Sequence, residues 1–171
     1  MSFNCRGLAG PKKKSALMRV ITLEHPDVIL LQETLGESSI IKERLESWLT
    51  GWSFVTLDVR GRSGGMAVGW KSSVMKVITA WGMESVLGVE LRSVDLGNCL
   101  KVINVYGPYL NRTPFWDSFF QSPFLDEDMV VIGGGSKLLS GSLGGLGSPC
   151  PFLCTGKLFH QKVDGEESDR C

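Results

Sequence analysis

The chain has 171 residues, is 43% hydrophobic and has a mean hydropathy of +0.08. These values suit one globular domain with a sizeable core and exclude an intrinsically disordered chain. Lysine plus arginine and aspartate plus glutamate number 18 each, so no overall basic field draws the protein to nucleic acid, and such a contact needs a local patch. Five cysteines, an odd number, without a secretory signal point to reduced thiols in a nuclear or cytoplasmic protein, not a secreted one. No apolar run approaches the roughly 20 residues of a membrane helix, so no membrane partner is expected.

A short apolar segment ending at Asn4 opens the chain, and a second, Val28-Ile29-Leu30-Leu31, ends at Gln32-Glu33. Between them, Ala16, Leu17, Val20, Ile21 and Leu23 recur at helical spacing and predict a helix over 11–25. Strand, helix, strand brings Asn4 and Glu33 to one sheet edge, where a rigid strand end holds a carboxylate over a crevice. Lys12, Lys13 and Lys14, with Arg6 and Arg19, form either a local patch for phosphates or simply the solvated start of that helix.

A second helix is predicted over 37–50, with Ile40, Ile41, Leu45, Trp48 and Leu49 on its apolar side and Gly51 ending it. The period then shortens to extended segments at 53–59, 65–70, 74–80, 86–91 and 100–106. Glycine-bearing turns separate them, as in an antiparallel meander. A helix over 113–121 and a last strand over 129–132 follow. The fold class is α+β, with mixed sheets packed as a sandwich. Beyond residue 134 glycine, serine and proline dominate and neither period survives. The division is therefore a domain over 1–134 and a disordered tail over 135–171. Cys150, Cys154 and His160 lack a fourth ligand and regular spacing, so they are read as coincidence, not a zinc site.

Several words in order resemble the endonuclease/exonuclease/phosphatase family, the one with the DNase I-like fold. They are Asn4-Cys5-Arg6-Gly7-Leu8, Pro26-Asp27, Gln32-Glu33-Thr34, Gly61-Arg62-Ser63-Gly64-Gly65, Val105-Tyr106-Gly107-Pro108 and Phe115-Trp116. More narrowly, they resemble the endonuclease domain of plant LINE-type (non-LTR) retrotransposon polyproteins. The resemblance implies a four-layer α/β/β/α sandwich, here incomplete, and a Mg²⁺- or Mn²⁺-dependent phosphodiester hydrolase acting on DNA.

Such a reaction needs charge neutralised on the phosphate and a water activated. Mg²⁺ suits the first task, since it takes one or two carboxylates and keeps several waters. The resemblance makes Glu33 and Asn4 the metal ligands and directs Tyr106, at the end of the apolar run 102–105, toward the scissile phosphate as the catalytic candidate. Arg112, six positions later in a loop, resembles an arginine that contacts DNA in some relatives.

The departure comes after Gly134. Where the family has Asp-x-Asn, this chain has Gly135, Ser136 and Lys137, which cannot abstract a proton as that aspartate does. General-base help is worth about 10² to 10⁴ in rate, so the resemblance carries an expectation of impaired or absent activity. The family's Ser-Asp-His is missing too. Ser168-Asp169 precedes Arg170, and neither His25 nor His160 sits in a matching motif.

Synonymous codons for 134–141, read one base later, can spell Gly-Asp-Leu-Asn-Phe-Ser-Leu, and the same offset turns part of 142–149 into Leu-Trp-Glu-Val-Trp-Gly-Pro. The expectation is an out-of-frame tail on a truncated domain, with exposed sheet edges prone to self-association. A non-catalytic nucleic-acid binder and a fragment without function are the alternatives.

Overall fold

The computed structural model describes residues 1–60, 63–83, 85–107, 112–121 and 130–134. Strand β1 (Ser2–Asn4) leads through helix α1 (Pro11–Glu24) to β2 (Val28–Gln32). Pro11 fits the first helical turn, where its missing N–H has no partner to lose. His25, expected inside the helix, is instead its left-handed cap at φ 45, donating its N–H to Ile21 O. Helix α2 (Ser38–Trp48) ends at Leu49, two residues before the expected glycine. Gly51, at φ +82, makes the turn into the next strand.

Strands β3 (Trp52–Arg60) and β4 (Ser63–Lys71) form a hairpin against β2. Opposite Phe54, Gly69 leaves room for the ring: a Cβ there would lie 2.2 Å from Phe54 Cε1. The chain then crosses to a second sheet of β5 (Met75–Met83), β6 (Val86–Ser93), β7 (Cys99–Val105) and β8 (Val130–Gly134), with helix α3 (Arg112–Phe120) before β8. The expected five-strand meander is thus split. The turn after β4 carries the same short polar signal as a hairpin but changes sheets, because each sheet needs its own apolar face covered.

Sheet A runs β1-β2-β4-β3 and sheet B runs β5-β6-β7-β8. Both repeat one pairing pattern, an outer parallel pair (β1 with β2, β8 with β7) followed by two antiparallel pairs.

Alternation along the strands separates the layers. Ile29 and Leu31 face the helices with Leu17, Ile21, Ile41 and Leu45, while Val28 and Leu30 meet Val89, Leu91, Leu100 and Val102 between the sheets. Ile103 and Val105 face outward onto Phe115, Trp116 and Phe119 of α3. This is the four-layer α/β/β/α sandwich of the DNase I-like fold.

Cys5 is a free, buried thiol. The tail over 135–171 lies outside the described residues. Among those residues no helix is long and apolar enough to cross a membrane.

Candidate functional site

The β1–β2 pairing continues past both strand ends. Cys5, Gly7 and Leu8 donate their N–H groups to the carbonyls of Gln32, Glu33 and Thr34 at 2.8, 2.7 and 3.2 Å. On the other side, Thr34 and Leu35 donate to Gly65 O and Gly64 O, so the Gly64-Gly65 word braces the segment that follows β2. Glu33 is held in the left-handed region at φ 52, with Arg6 at 47 and Leu35 at 52 beside it. Three such residues around one corner cost on the order of 1–3 kcal/mol each, and clusters of this kind mark functional sites.

The corner itself is compact. Asn4 Nδ2 donates to Glu33 Oε1 at 3.0 Å, and the Tyr106 hydroxyl donates to the same oxygen at 2.6 Å. Asn4 Oδ1 accepts the Arg6 N–H at 3.1 Å, which turns the amide so that its nitrogen faces the carboxylate. A carboxylate offers about four lone-pair directions, so two donors on one oxygen are compatible with a cation at the group. The donor set fits a hard, largely hydrated divalent ion held by one carboxylate. Among the described residues no group of three or more His, Cys, Asp or Glu side chains gathers to hold a metal more tightly.

Lys13, on the first turn of α1, donates from Nζ to Cys5 O at 2.8 Å, which ties an ammonium to the backbone one residue from Asn4. Lys14 lies over the Trp48 ring at 5.8 Å, and Lys12 is exposed. Arg112 is the first residue of α3, not a loop residue as expected: the helical phase of Phe115, Trp116 and Phe119 extends back to it. Helix α3 rides against Gly107, where a Cβ would lie 2.8 Å from Trp116 Cζ2, next to Tyr106.

Burial pushes the Cys5 thiol from an ordinary 9.0 up to about 12; Lys13 pulls the other way and Glu33 adds to the rise. A pocket of about 170 Å³ opens among Thr79, Trp81, Gly88, Glu90, Lys101 and Ile103 on sheet B, and it shares no residue with the corner.

Two residues to which the sequence assigned no role of their own lie directly beneath. Gln32 and Asn104 are each fully buried at the inward end of their strands, and Gln32 Nε2 donates to Asn104 Oδ1 at 2.6 Å. The available signal was a polar residue continuing an inward apolar series, Val28-Leu30-Gln32 and Leu100-Val102-Asn104.

A carboxylate, an amide and a phenol thus converge where β2, β1 and β7 end, at one edge of a four-layer sandwich. The chain belongs to the endonuclease/exonuclease/phosphatase family, whose profile matches residues 1–135. That family comprises metal-dependent phosphodiesterases, phosphatases and nucleases.

No curated protein matches the chain. Among solved structures, it is similar to a mannosyl-6-phosphatase of Bacteroides thetaiotaomicron (TM-score 0.60, 9% identity, 78% of this chain and 62% of that one). It is also similar to D. rerio TDP2 complexed with a single-strand DNA product (TM-score 0.56, 16% identity, 77% and 56%). A third is the human Nocturnin catalytic domain with bound sulfate (TM-score 0.54, 12% identity, 77% and 60%). At these identities the likeness is one of fold. The chain spans about three fifths of the length of these structures.

Proposed function

We propose that residues 1–134 are the front part of a divalent-metal-dependent DNA endonuclease whose catalytic power is lost or strongly reduced. The observation that supports this best is the Glu33 carboxylate, gripped by Asn4 and Tyr106 at 3.0 and 2.6 Å where the central strands end. Mg²⁺ or Mn²⁺ at such a site supplies neutralisation of phosphate charge. Glu33 would hold the ion weakly, with the second lone pair of Asn4 Oδ1 as its neighbour. Tyr106 orients the carboxylate and faces the phosphate. Arg112, Lys12, Lys13 and Lys14 are the DNA-contacting set, although Lys13 is already committed to Cys5 O.

The reading of lost activity rests on Gly135, Ser136 and Lys137 standing where the resembled family carries Asp-x-Asn. DNA as the substrate class is supported by TDP2, a similar fold complexed with a single-strand DNA product. An origin in a plant LINE-type retrotransposon, a tail read out of frame and a nuclear or cytoplasmic location complete the proposal.

Plasmid nicking with Mg²⁺ by the full chain tests it. The expected result is little or no nicking, together with weak Mn²⁺ binding that Glu33→Gln abolishes. Robust Mg²⁺-stimulated nicking removed by Glu33→Gln contradicts the loss of activity, and Mn²⁺ binding indifferent to Glu33→Gln removes the metal assignment. A DNA-binding titration against salt separates a surviving binder from a functionless fragment, since phosphate contacts weaken steeply with salt. The coding DNA decides the tail: a shifted frame without Asp-x-Asn ends that part of the proposal.

A further inference from the structure

Apolar contact is non-directional, so the Val28, Leu30, Leu100 and Val102 layer does not by itself fix how far one sheet slides over the other. Yet the corner depends on that slide. Glu33 belongs to the end of β2 and Tyr106 to the end of β7, in different sheets, and a slip of one strand residue is about 3.3 Å. Such a slip exceeds the 2.6 Å bond that joins them.

Besides the Tyr106–Glu33 bond, two amides make directional contacts across this boundary among the described residues. Gln32 Nε2 donates to Asn104 Oδ1 at 2.6 Å and to Ser2 Oγ at 3.1 Å. Asn104 Nδ2 donates to Leu31 O at 2.9 Å and Ala67 O at 3.0 Å. One side chain of sheet B therefore grips β2 and β4 together, and Gln32 ties the same point to β1. Gln32 immediately precedes Glu33, and Asn104 lies two residues before Tyr106 on the same strand face. Among the described residues no buried side-chain nitrogen or oxygen lacks a hydrogen-bond partner, so the network is satisfied and able to hold one geometry.

We infer that the Gln32–Asn104 amide pair is a positioning device that sets the spacing of Glu33 and Tyr106 across the two sheets. Neither residue touches a ligand; both act through their neighbours. The metal-binding part of this inference rests on the proposed role of Glu33, whereas the spacing part does not.

The test uses the full chain with ¹³C-labelled tyrosine. It has two tyrosines, and Tyr109→Phe assigns their signals. Gln32→Met removes the Gln32–Asn104 bond and leaves the other two inter-sheet bonds, from Asn104 to the sheet A carbonyls. Gln32→Asn, shorter by one methylene, is a second variant that keeps an amide if the first does not fold. Val89→Ala, in the same inter-sheet layer, controls for a general loss of stability.

The expected result is a Tyr106 Cζ signal displaced in either Gln32 variant at least halfway to its position in Glu33→Ala, and unmoved in Val89→Ala. Mn²⁺ affinity, read by electron paramagnetic resonance, is expected to fall about 10-fold to 100-fold with Gln32 replaced, as for other groups that orient a metal ligand. An unmoved Tyr106 signal in the folded Gln32 variants, or an equal displacement in Val89→Ala, overturns the inference. Absence of Mn²⁺ binding by the wild-type chain instead overturns the role of Glu33, and the metal-free tyrosine signal still decides the spacing.

Discussion

Replacing Tyr106 with Phe removes one oxygen and keeps the ring that packs into the inter-sheet layer. The lost bond joins a phenol to a carboxylate at 2.6 Å, and both residues are half-buried. Hydrogen bonds to charged groups contribute about 1.5–3 kcal/mol, and partial exposure reduces this to about 1–2 kcal/mol. Glu33 keeps Asn4 as a donor, so the fold survives each single change. A thermodynamic cycle of wild type, Tyr106→Phe, Glu33→Ala and the double variant, followed by urea unfolding, isolates the pair. With a slope of about 2 kcal/mol per molar urea, the coupling displaces the double variant's midpoint by about 0.5–1 M from additivity. A coupling below about 0.5 kcal/mol, the range within which independent sites add, refutes the account of this corner.

Cys5 sets a pH window. Its thiol stays neutral in the fold up to about 12 but ionises near 9.0 when the chain unfolds. The contribution is complete below pH 9 and is lost as pH rises from 9 toward 12, because the unfolded chain then binds fewer protons. Relative to Cys5→Ala, wild-type stability is expected to fall by about 1–3 kcal/mol between pH 8 and pH 11, and parallel unfolding curves for the two would contradict it. Lys12→Glu should move stability and DNA affinity in opposite directions. The first turn of α1 carries three lysines and no acid. A carboxylate there adds about 0.3–1 kcal/mol through the helix dipole, while DNA binding, read by fluorescence anisotropy, weakens. Strand β5 is one of the two outer strands of sheet B among the described residues and exposes Val77 and Ile78 at 46% and 44%. Ile78→Lys is expected to reduce concentration-dependent self-association in sedimentation velocity, and unchanged association assigns that property to another surface.

The sequence made the corner legible because two apolar segments end at polar residues. The strand–helix–strand reading brought Asn4 and Glu33 together, as the 3.0 Å bond between them records. Tyr106 entered through resemblance alone, since nothing local tells a strand-end tyrosine at a site from one at a sheet edge. Gln32 and Asn104 went unread for a physical reason. All five residues of β2 are buried, so the alternation that would have placed Gln32 between the sheets is hidden in an unbroken apolar run. The left-handed backbone of Glu33 was equally silent, because glutamate carries no preference for that region. The split of the meander was missed because a turn signal says that the chain reverses, not which sheet receives it.

The order in which the two sheets appear along the chain has a cellular corollary. Sheet A is complete at Lys71, but β7, whose face closes over Val28, Leu30, Val68 and Trp70, ends only at Val105. Those 34 intervening residues take about 2–7 s to synthesise at about 5–20 residues per second. Throughout that interval a greasy half-molecule hangs from the ribosome, and chaperone occupancy at this stage should govern how much protein ever reaches its finished form.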